Sequence, residues 1–178
     1  MPPDSPLTAS AARELLRYDR AVFEKFYRRV RRVPKRGAFA QREIGHQSYF
    51  ETLAHVLNVH DAWLNYIVPG RTREFLRIHA EARRHPTDWA GFEPYRAQVW
   101  EGVERFAAGA SDRSLRRIVK APWMPGRYTA GDAVLQVTVE QAHHLGEIIG
   151  AFWQEDREPP TMTWIENFRP PRRRRRRA

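Results

Sequence analysis

The sequence predicts an all-α fold, a four-helix bundle with a short hairpin or loop before its last long helix. Along four long stretches, apolar residues recur at steps of three and four positions, which is the spacing of one helix face. Strand-like alternation is scarce, and capping or breaking residues flank the stretches. Helices that each carry one apolar face bury it by packing together, so a bundle is the expected arrangement.

Length and composition are those of a single domain. The chain has 178 residues, 42% of them hydrophobic, with six Trp and nine Phe, which is enough for a sizeable core. No apolar run reaches the length of a membrane span, and the first residues lack the pattern of a secretion signal, so we expect a cytoplasmic protein. The absence of cysteine excludes disulfides, thiolate nucleophiles and thiolate metal ligands. Any metal must therefore be held by His, by oxygen ligands or by water.

The net charge of +10 is concentrated at the end of the chain. Six of these charges belong to the Arg run 172–177, and without it the chain carries +4. Such a run cannot pack a core, so we predict a flexible N-terminus at 1–9, one bundle domain at 10–168 and a disordered tail at 169–178. The tail would attract nucleic acid or anionic surfaces without sequence selectivity. No recognition motif accompanies it, so neither a specific nucleic-acid partner nor a membrane partner is expected.

The first predicted helix runs from about residue 11 to residue 32. Thr8 or Ser10 can cap its start, because a side-chain oxygen there accepts a free backbone N–H of the first turn. Pro34 should end it. Its Arg residues most simply form a solvated face.

The second predicted helix begins near His46 or Ser48 and ends at Val68, before a Pro-Gly pair. It carries two histidines of interest. Periodicity places His60 in the middle of the apolar side and His55 at its margin, which slightly favours His60 as the inward residue. Either one could also be a core histidine with a satisfied hydrogen bond.

Smaller elements and a third long helix follow. Residues 71–86 are polar, and we expect a short surface helix there with exposed His79 and His85. A third amphipathic helix is predicted from about 91 to 108, and a small hairpin or lid at 115–128, with a Pro-Gly pair at its tip. Beyond the last long helix, three apolar residues are expected to dock onto the bundle: Trp164, Ile165 and Phe168.

The last long helix, predicted over residues 131–155 with Thr129 or Asp132 as its cap, carries the densest set of possible metal ligands. Glu140 and His144 are four positions apart, so one carboxylate oxygen and one imidazole nitrogen can share a cation. Such pairs also occur on solvated helices as weak ion pairs. A third ligand from another helix is therefore needed to make a metal site.

Two further residues of this helix compete for a role in the site. His143 and Glu147 are also four positions apart, although they point further toward the polar face. Glu140 and His143 together form one ExxH pair, but a di-metal carboxylate bundle needs a second such pair, which we do not find. There is also no Gly-rich phosphate loop, no nucleophile elbow and no HExxH motif.

Three stretches resemble the DinB/YfiT-like (damage-inducible) family of metal-binding four-helix bundles. They are RELLRYDRAVFEKF in the first helix, SYFETLAHVLNVHDAWL in the second, and VTVEQAHHLGEIIGAFWQ followed by EPPTMTWIENF at the end. The resemblance is collinear over most of residues 10–168. It implies a metal site built from one His of the second helix and an HxxxH pair of the last helix. Carried over by position, the ligands are His55, Glu140 and His144, so that a Glu replaces the first His of the pair.

The resemblance also implies a function. Members of this family include transferases that use low-molecular-weight thiols and metal-dependent hydrolases, so we expect a divalent metal, zinc or nickel first and manganese or iron as alternatives. The metal would lower the pKa of a water or a cosubstrate thiol. His60, His143 and Glu147 are candidates for positioning or proton transfer, and the family suggests a homodimer. The alternative is a non-catalytic stress-response binding module in which the metal is structural or absent.

Overall fold

Helices dominate the computed structural model, which describes residues 5–80, 86–121 and 123–168. The predicted all-α fold is confirmed. The long helical segments are α1 (Ala9–Arg31), α3 (Tyr49–His60) with a π-helix (Asp61–Ile67) directly after it, α5 (Trp89–Gly109) and α7 (Ala130–Gln154). The short elements are α2 (Lys35–Ala38), α4 (Thr72–Ala80), α6 (Asp112–Leu115), the strands β1 (Ile118–Val119) and β2 (Tyr128–Thr129), and α8 (Trp164–Phe168).

Side-chain caps fix where the long helices start. The side chains of Thr8, Ser48 and Asp88 each accept a backbone N–H from the first turn of α1, α3 and α5. At the start of α7, Thr129 and Asp132 form a reciprocal capping box. Of the alternatives left open by the sequence, Thr8 and not Ser10 caps α1, and Thr129 and not Asp132 caps α7. The second helix starts after Ser48 and not at His46, so His46 lies in a loop.

The second long helix changes its geometry halfway. We predicted one continuous helix to Val68, but from Asp61 the chain forms a π-helix, and the Val68 N–H donates to the carbonyl of Trp63 at 2.8 Å. The Asn65 amide donates to the Asp61 carboxylate at 2.8 Å and packs against Gly102 of α5, where a Cβ would collide with it. This contact with another helix has no counterpart in the local sequence pattern.

The long helices pack around a core rich in aromatic side chains. The last helix, α7, packs against α1 and α3, whereas α5 packs against α1, α3 and the π-helix. The largest fully buried aromatic side chains come from α1, α3, α5 and α7: Phe23, Phe26, Tyr49, Phe50, Phe92, Trp100 and Phe152. Burial of these apolar areas is the main source of stability.

The predicted hairpin is confirmed as a minimal one. Ile118 pairs with Thr129 and Val119 with Tyr128 in antiparallel register. The connecting loop carries Trp123, which is 47% exposed, beside the half-buried Met124.

Of the two predicted anchors whose side chains the structure describes, Trp164 docks the C-terminal segment onto the bundle. The ring centroid of Trp164 lies 4.8 Å from that of Tyr18 on α1. Ile165 is 70% exposed, so its predicted docking is wrong, because α8 presents that side chain to solvent. The side chain of Phe168 lies outside the described part of the chain.

Some predictions fall on residues that the structure does not describe. The expected tail at 169–178, the first four residues of the expected flexible N-terminus, His85 and the side chain of His79 lie outside the described ranges. None of the described helices combines the length and the apolar character needed to cross a membrane.

Candidate metal centre

Three imidazoles from different parts of the chain meet at one side of α7. His46 comes from the loop before α3, His55 from the middle of α3, and His144 from α7. One ring nitrogen of each lies within 4.8 Å of the others. The ring centroids are 3.7 Å apart for His46 and His55, and 4.6 Å apart for His55 and His144. We call these three residues the His cluster.

A carboxylate orients the most buried imidazole of the His cluster. His144 is 7% exposed, and its Nδ1 lies 2.9 Å from Oε2 of Glu147, an arrangement in which Nδ1–H donates to the carboxylate. In the neutral tautomer with its proton on Nδ1, the Nε2 atom keeps the lone pair that a metal ligand requires. Histidines that bind metals characteristically donate their other N–H to a carboxylate or carbonyl in this way.

Glu140 reaches the His cluster through His144. Its Oε2 lies 3.3 Å from Nε2 of His144, and its Oε1 accepts a hydrogen bond from the Gln136 amide at 2.9 Å. The sequence-based pair Glu140 and His144 is therefore in contact. Glu140 contacts His144 and lines the same cavity as His55, on one side of α7. The group whose ligand atoms all lie within 4.8 Å of one another contains His46 in place of Glu140.

Glu147 connects the His cluster to the loop that carries His46. Its Oε1 accepts the Gly45 N–H at 3.1 Å. Burial alone would raise the pKa of this carboxyl, but hydrogen bonds from His144 and Gly45 outweigh it and lower the pKa below the ordinary 4.5. A Cβ at position 45 would stand 2.9 Å from Oε1 of Glu147, so glycine permits this approach.

Further contacts hold the loop of His46 in place. The Arg42 guanidinium lies 2.7 Å from the Glu155 carboxylate at the end of α7 and 3.7 Å above the Tyr49 ring. Gln47 has a φ of 63°, a left-handed conformation that lets the chain turn from the loop into α3. The sequence pattern does not mark His46 as a ligand, because this residue precedes the cap of α3 and belongs to no helical period. Its only local signal is a Gly-His pair just before that cap.

The donor set fits a divalent transition metal. Imidazole and carboxylate together suit zinc, nickel, manganese and iron. Two nitrogens bound to one ion at about 2.1 Å are at most about 4.2 Å apart. The ring nitrogens of the His cluster lie within 4.8 Å of one another, so any pair beyond that limit would have to move closer to share an ion. A second group that could hold a cation joins His143 to His144 and Glu147. His143 has a 64% exposed side chain, and its Nε2 lies 3.7 Å from Glu147, so this group faces solvent.

His60, the other histidine of α3, lies in the core and not in the His cluster. The expectation that it points inward is confirmed, since its exposed fraction is 0%. Its Nδ1 lies 2.9 Å from the carbonyl of Val56, and its Nε2 lies 3.9 Å from Oδ2 of the buried Asp19. The Trp100 ring lies 5.0 Å away, centroid to centroid. A small molecule could reach His60 only after rearrangement of the core.

A cavity of about 490 Å³ opens beside the His cluster. Its lining includes His55 and Glu140 together with residues of the π-helix, α4 and the hairpin loop. Pockets of this size bind small molecules. The arrangement can therefore hold a metal and present it to a ligand.

Comparison with known proteins identifies the family. No curated protein sequence matches the chain. The family model described as the DinB superfamily matches residues 7–148, a range that covers most of the chain and includes His46, His55, Glu140 and His144. This protein therefore belongs to the DinB superfamily.

Proposed function

We propose that this protein is a divalent-metal-dependent enzyme of the thiol S-transferase or hydrolase type that acts on a small molecule. The observation that carries the proposal is the His cluster beside an open cavity that is lined by His55 of that cluster and by Glu140. A core of side chains packed tightly against these histidines would instead favour a binding module without an open ligand position.

The proposed ligands are His55, Glu140 and His144. Whether His46 also binds the metal decides whether the site is open, as in an enzyme, or closed, as in a structural site. Three protein ligands leave a position open for substrate, as in catalytic zinc sites, whereas four close it, as in structural ones. His46 stacks on His55, and its ring centroid is 4.8 Å from that of His144, so it is close enough to act as a fourth ligand. This contact favours the alternative function, a stress-response binding module with a structural metal.

A metal held here would supply Lewis acidity and lower the pKa of water or of a thiol. The side chains of the protein would orient the metal ligands and accept the proton that the bound water or thiol releases. Glu147 keeps the Nδ1 proton on His144, and Gln136 orients the carboxylate of Glu140. His143 is exposed beside Glu147 and can exchange protons with solvent. The role in proton transfer predicted for His60 stays a prediction, and because the chain has no cysteine, the thiol would be a cosubstrate.

The first experiment measures metal content in the purified protein and then loads it with Co²⁺, whose visible spectrum reports coordination number. We expect about one equivalent of metal, zinc or nickel first, and its loss in His144→Ala. Adding a low-molecular-weight thiol such as cysteine to the Co²⁺ protein should produce a sulfur-to-cobalt charge-transfer band. No metal uptake after reconstitution with zinc, nickel, manganese and iron would exclude the metalloenzyme.

Two variants separate the enzyme from the binding module. If Glu140 is the third ligand, Glu140→Gln weakens Co²⁺ binding more than His46→Ala does, and the wild-type spectrum responds to the thiol. If His46 closes the site, the wild-type spectrum is indifferent to thiol, whereas His46→Ala becomes responsive. A thiol response that appears only in His46→Ala would support the binding module with a structural metal.

The homodimer remains a proposal from the family resemblance. Sedimentation equilibrium of the purified chain tests it directly. A single species at the monomer mass of 21.0 kDa across micromolar concentrations would contradict it.

A further inference from the structure

Three large aromatic side chains, Trp63, Phe75 and Trp123, line the cavity beside the His cluster. The ring centroid of Trp123 lies 6.3 Å from that of Trp63 and 6.0 Å from that of Phe75, with interplanar angles of 78° and 51°. Leu76 and Met124 add aliphatic surface to the same cavity. Aromatic rings prefer tilted or edge-to-face contacts with one another at such distances. A planar ring placed in the cavity could therefore make favourable contacts with several walls.

Two of the apolar wall residues are unusually exposed for their size. Trp123 is 47% exposed and Leu76 is 42% exposed, whereas the core aromatics are buried almost completely. Neighbouring exposed apolar side chains that form one concave surface are typical of ligand-binding sites. Covering them with an apolar group would release water from both surfaces and so favour binding.

The π-helix forms part of this wall. Ala62 and Trp63 belong to it, and both line the cavity. π-helical turns are rare and are frequently found at functional sites, because the wider turn is less stable than an α-helical one. In this chain the π-helix directly follows α3, the helix that carries His55.

The polar groups of the cavity are few and come from two helices. Asn58 lies one turn from His55 on α3, and Gln136 lies one turn from Glu140 on α7. A mostly apolar pocket with a few polar groups on one side fixes the orientation of a ligand. In this cavity the polar groups of Asn58 and Gln136 lie on the same side as His55 and Glu140, two of the proposed metal ligands.

We infer that the substrate is a small molecule with a planar aromatic group, which lies among Trp63, Phe75 and Trp123 while its polar reacting group faces His55 and Glu140. The position of the reacting group rests on the proposed function. The binding of the ring does not, since it needs only the apolar walls.

Three probes separate the ring from the polar group. Acetohydroxamate and 2-naphthohydroxamate share a group that chelates divalent metals, and 2-naphthamide carries the same ring without a chelating group. Binding is measured by isothermal titration calorimetry, with the hydroxamates added to Co²⁺-loaded protein and the amide to metal-free protein. Because of the extra apolar area, 2-naphthohydroxamate should bind more than about tenfold tighter than acetohydroxamate.

One variant and one matched control test the wall itself. Trp123→Ala should weaken binding of both naphthyl probes by about two- to tenfold and leave acetohydroxamate unchanged. The control is Trp153→Ala, because Trp153 is 61% exposed but lies on α7 and does not line the cavity. That control should leave the affinities for all three probes unchanged.

The outcomes distinguish this inference from the proposed function. When Co²⁺ binds, equal affinities for the two hydroxamates, or naphthyl binding that is indifferent to Trp123→Ala, overturn the inference. When Co²⁺ does not bind, the proposed function fails and 2-naphthamide alone decides. Binding of 2-naphthamide that Trp123→Ala weakens then supports the aromatic site, and absence of binding overturns it.

Discussion

Two histidines of one helix, His55 and His60, lie five residues apart on α3 and in opposite kinds of surroundings. His55 is half-buried, with two other imidazoles beside it and an open cavity next to it. His60 is fully buried, with the Trp100 ring and the Asp19 carboxylate as its neighbours. The inward direction of a side chain therefore does not identify a metal ligand. A ligand needs other donors around the same point and access for the ion.

The surroundings of His60 form a polar cluster within the core. Asp19 is 0% exposed, and its Oδ2 accepts a hydrogen bond from the Thr138 hydroxyl at 2.7 Å. The Gln141 amide donates to the backbone carbonyl of Asp19 at 2.9 Å. These hydrogen bonds link α1 to α7 and compensate for part of the cost of burying polar groups. Oδ1 of Asp19, Nε2 of His60 and Oε1 of Gln141 have no hydrogen-bond partner among the described residues. This cluster is expected to stabilise the fold, and the His cluster is expected to bind metal.

The largest expected effect is a difference in zinc affinity between variants of His55 and of His60. His55→Ala should weaken zinc binding by more than about 100-fold, because loss of a ligand exceeds the loss caused by outer contacts. His60→Leu, of similar volume, should change it by no more than about twofold. Competition for Zn²⁺ against a chromophoric chelator measures both. Equal losses in the two variants would show that the two sites are not distinct.

The next effect concerns the carboxylate that orients the His cluster. Glu147→Gln keeps the size of the side chain but replaces the charged carboxylate that accepts the hydrogen bond from Nδ1 of His144 with a neutral amide. We therefore expect zinc affinity to fall by about 10- to 100-fold. Glu101→Gln, on the exposed face of α5, is a matched control. The same chelator competition applies. An unchanged affinity in Glu147→Gln would mean that this contact does not support the metal.

The buried cluster should respond in stability and not in metal binding. Asp19→Ala removes the shorter of the two hydrogen bonds open to the Thr138 hydroxyl and empties a buried position, so we expect the free energy of unfolding to fall by about 1–3 kcal/mol. Urea denaturation of metal-free protein measures this loss. A loss of metal affinity beyond about twofold in the folded variant would connect the two clusters and contradict their separation.

The smallest effect is a pH dependence at Glu147. Its pKa is lowered in the folded chain, so its ionised form stabilises the fold above pH 4.5, the ordinary value, and this contribution is lost as the pH falls through the lowered pKa. In metal-free protein, the difference in unfolding free energy between wild type and Glu147→Gln should therefore shrink as the pH falls below 4.5. A difference that stays constant down to pH 2–3 would contradict the contribution of this carboxylate.

Local patterns predicted much of the fold. Apolar periodicity placed α1, α5 and α7 within a few residues of their observed bounds, and the caps at Thr8, Ser48 and Thr129 were visible as residue types. These features depend on neighbours within one or two turns, so the sequence contains them directly. The π-helix was not predicted, because its wide turn coincides with the packing of Asn65 against Gly102 of another helix.

The candidate site also has features that local sequence predicts and features that depend on tertiary packing. The sequence by itself determined that Glu140, His143, His144 and Glu147 share the surface of one helix, since four-residue spacing is local geometry. Only the tertiary structure decided that His46 joins His55 and His144, that His60 lies near Asp19, and that Trp123 lies beside Trp63 and Phe75. These contacts join residues far apart in the chain, and they depend on how helices and loops pack, which no local period encodes.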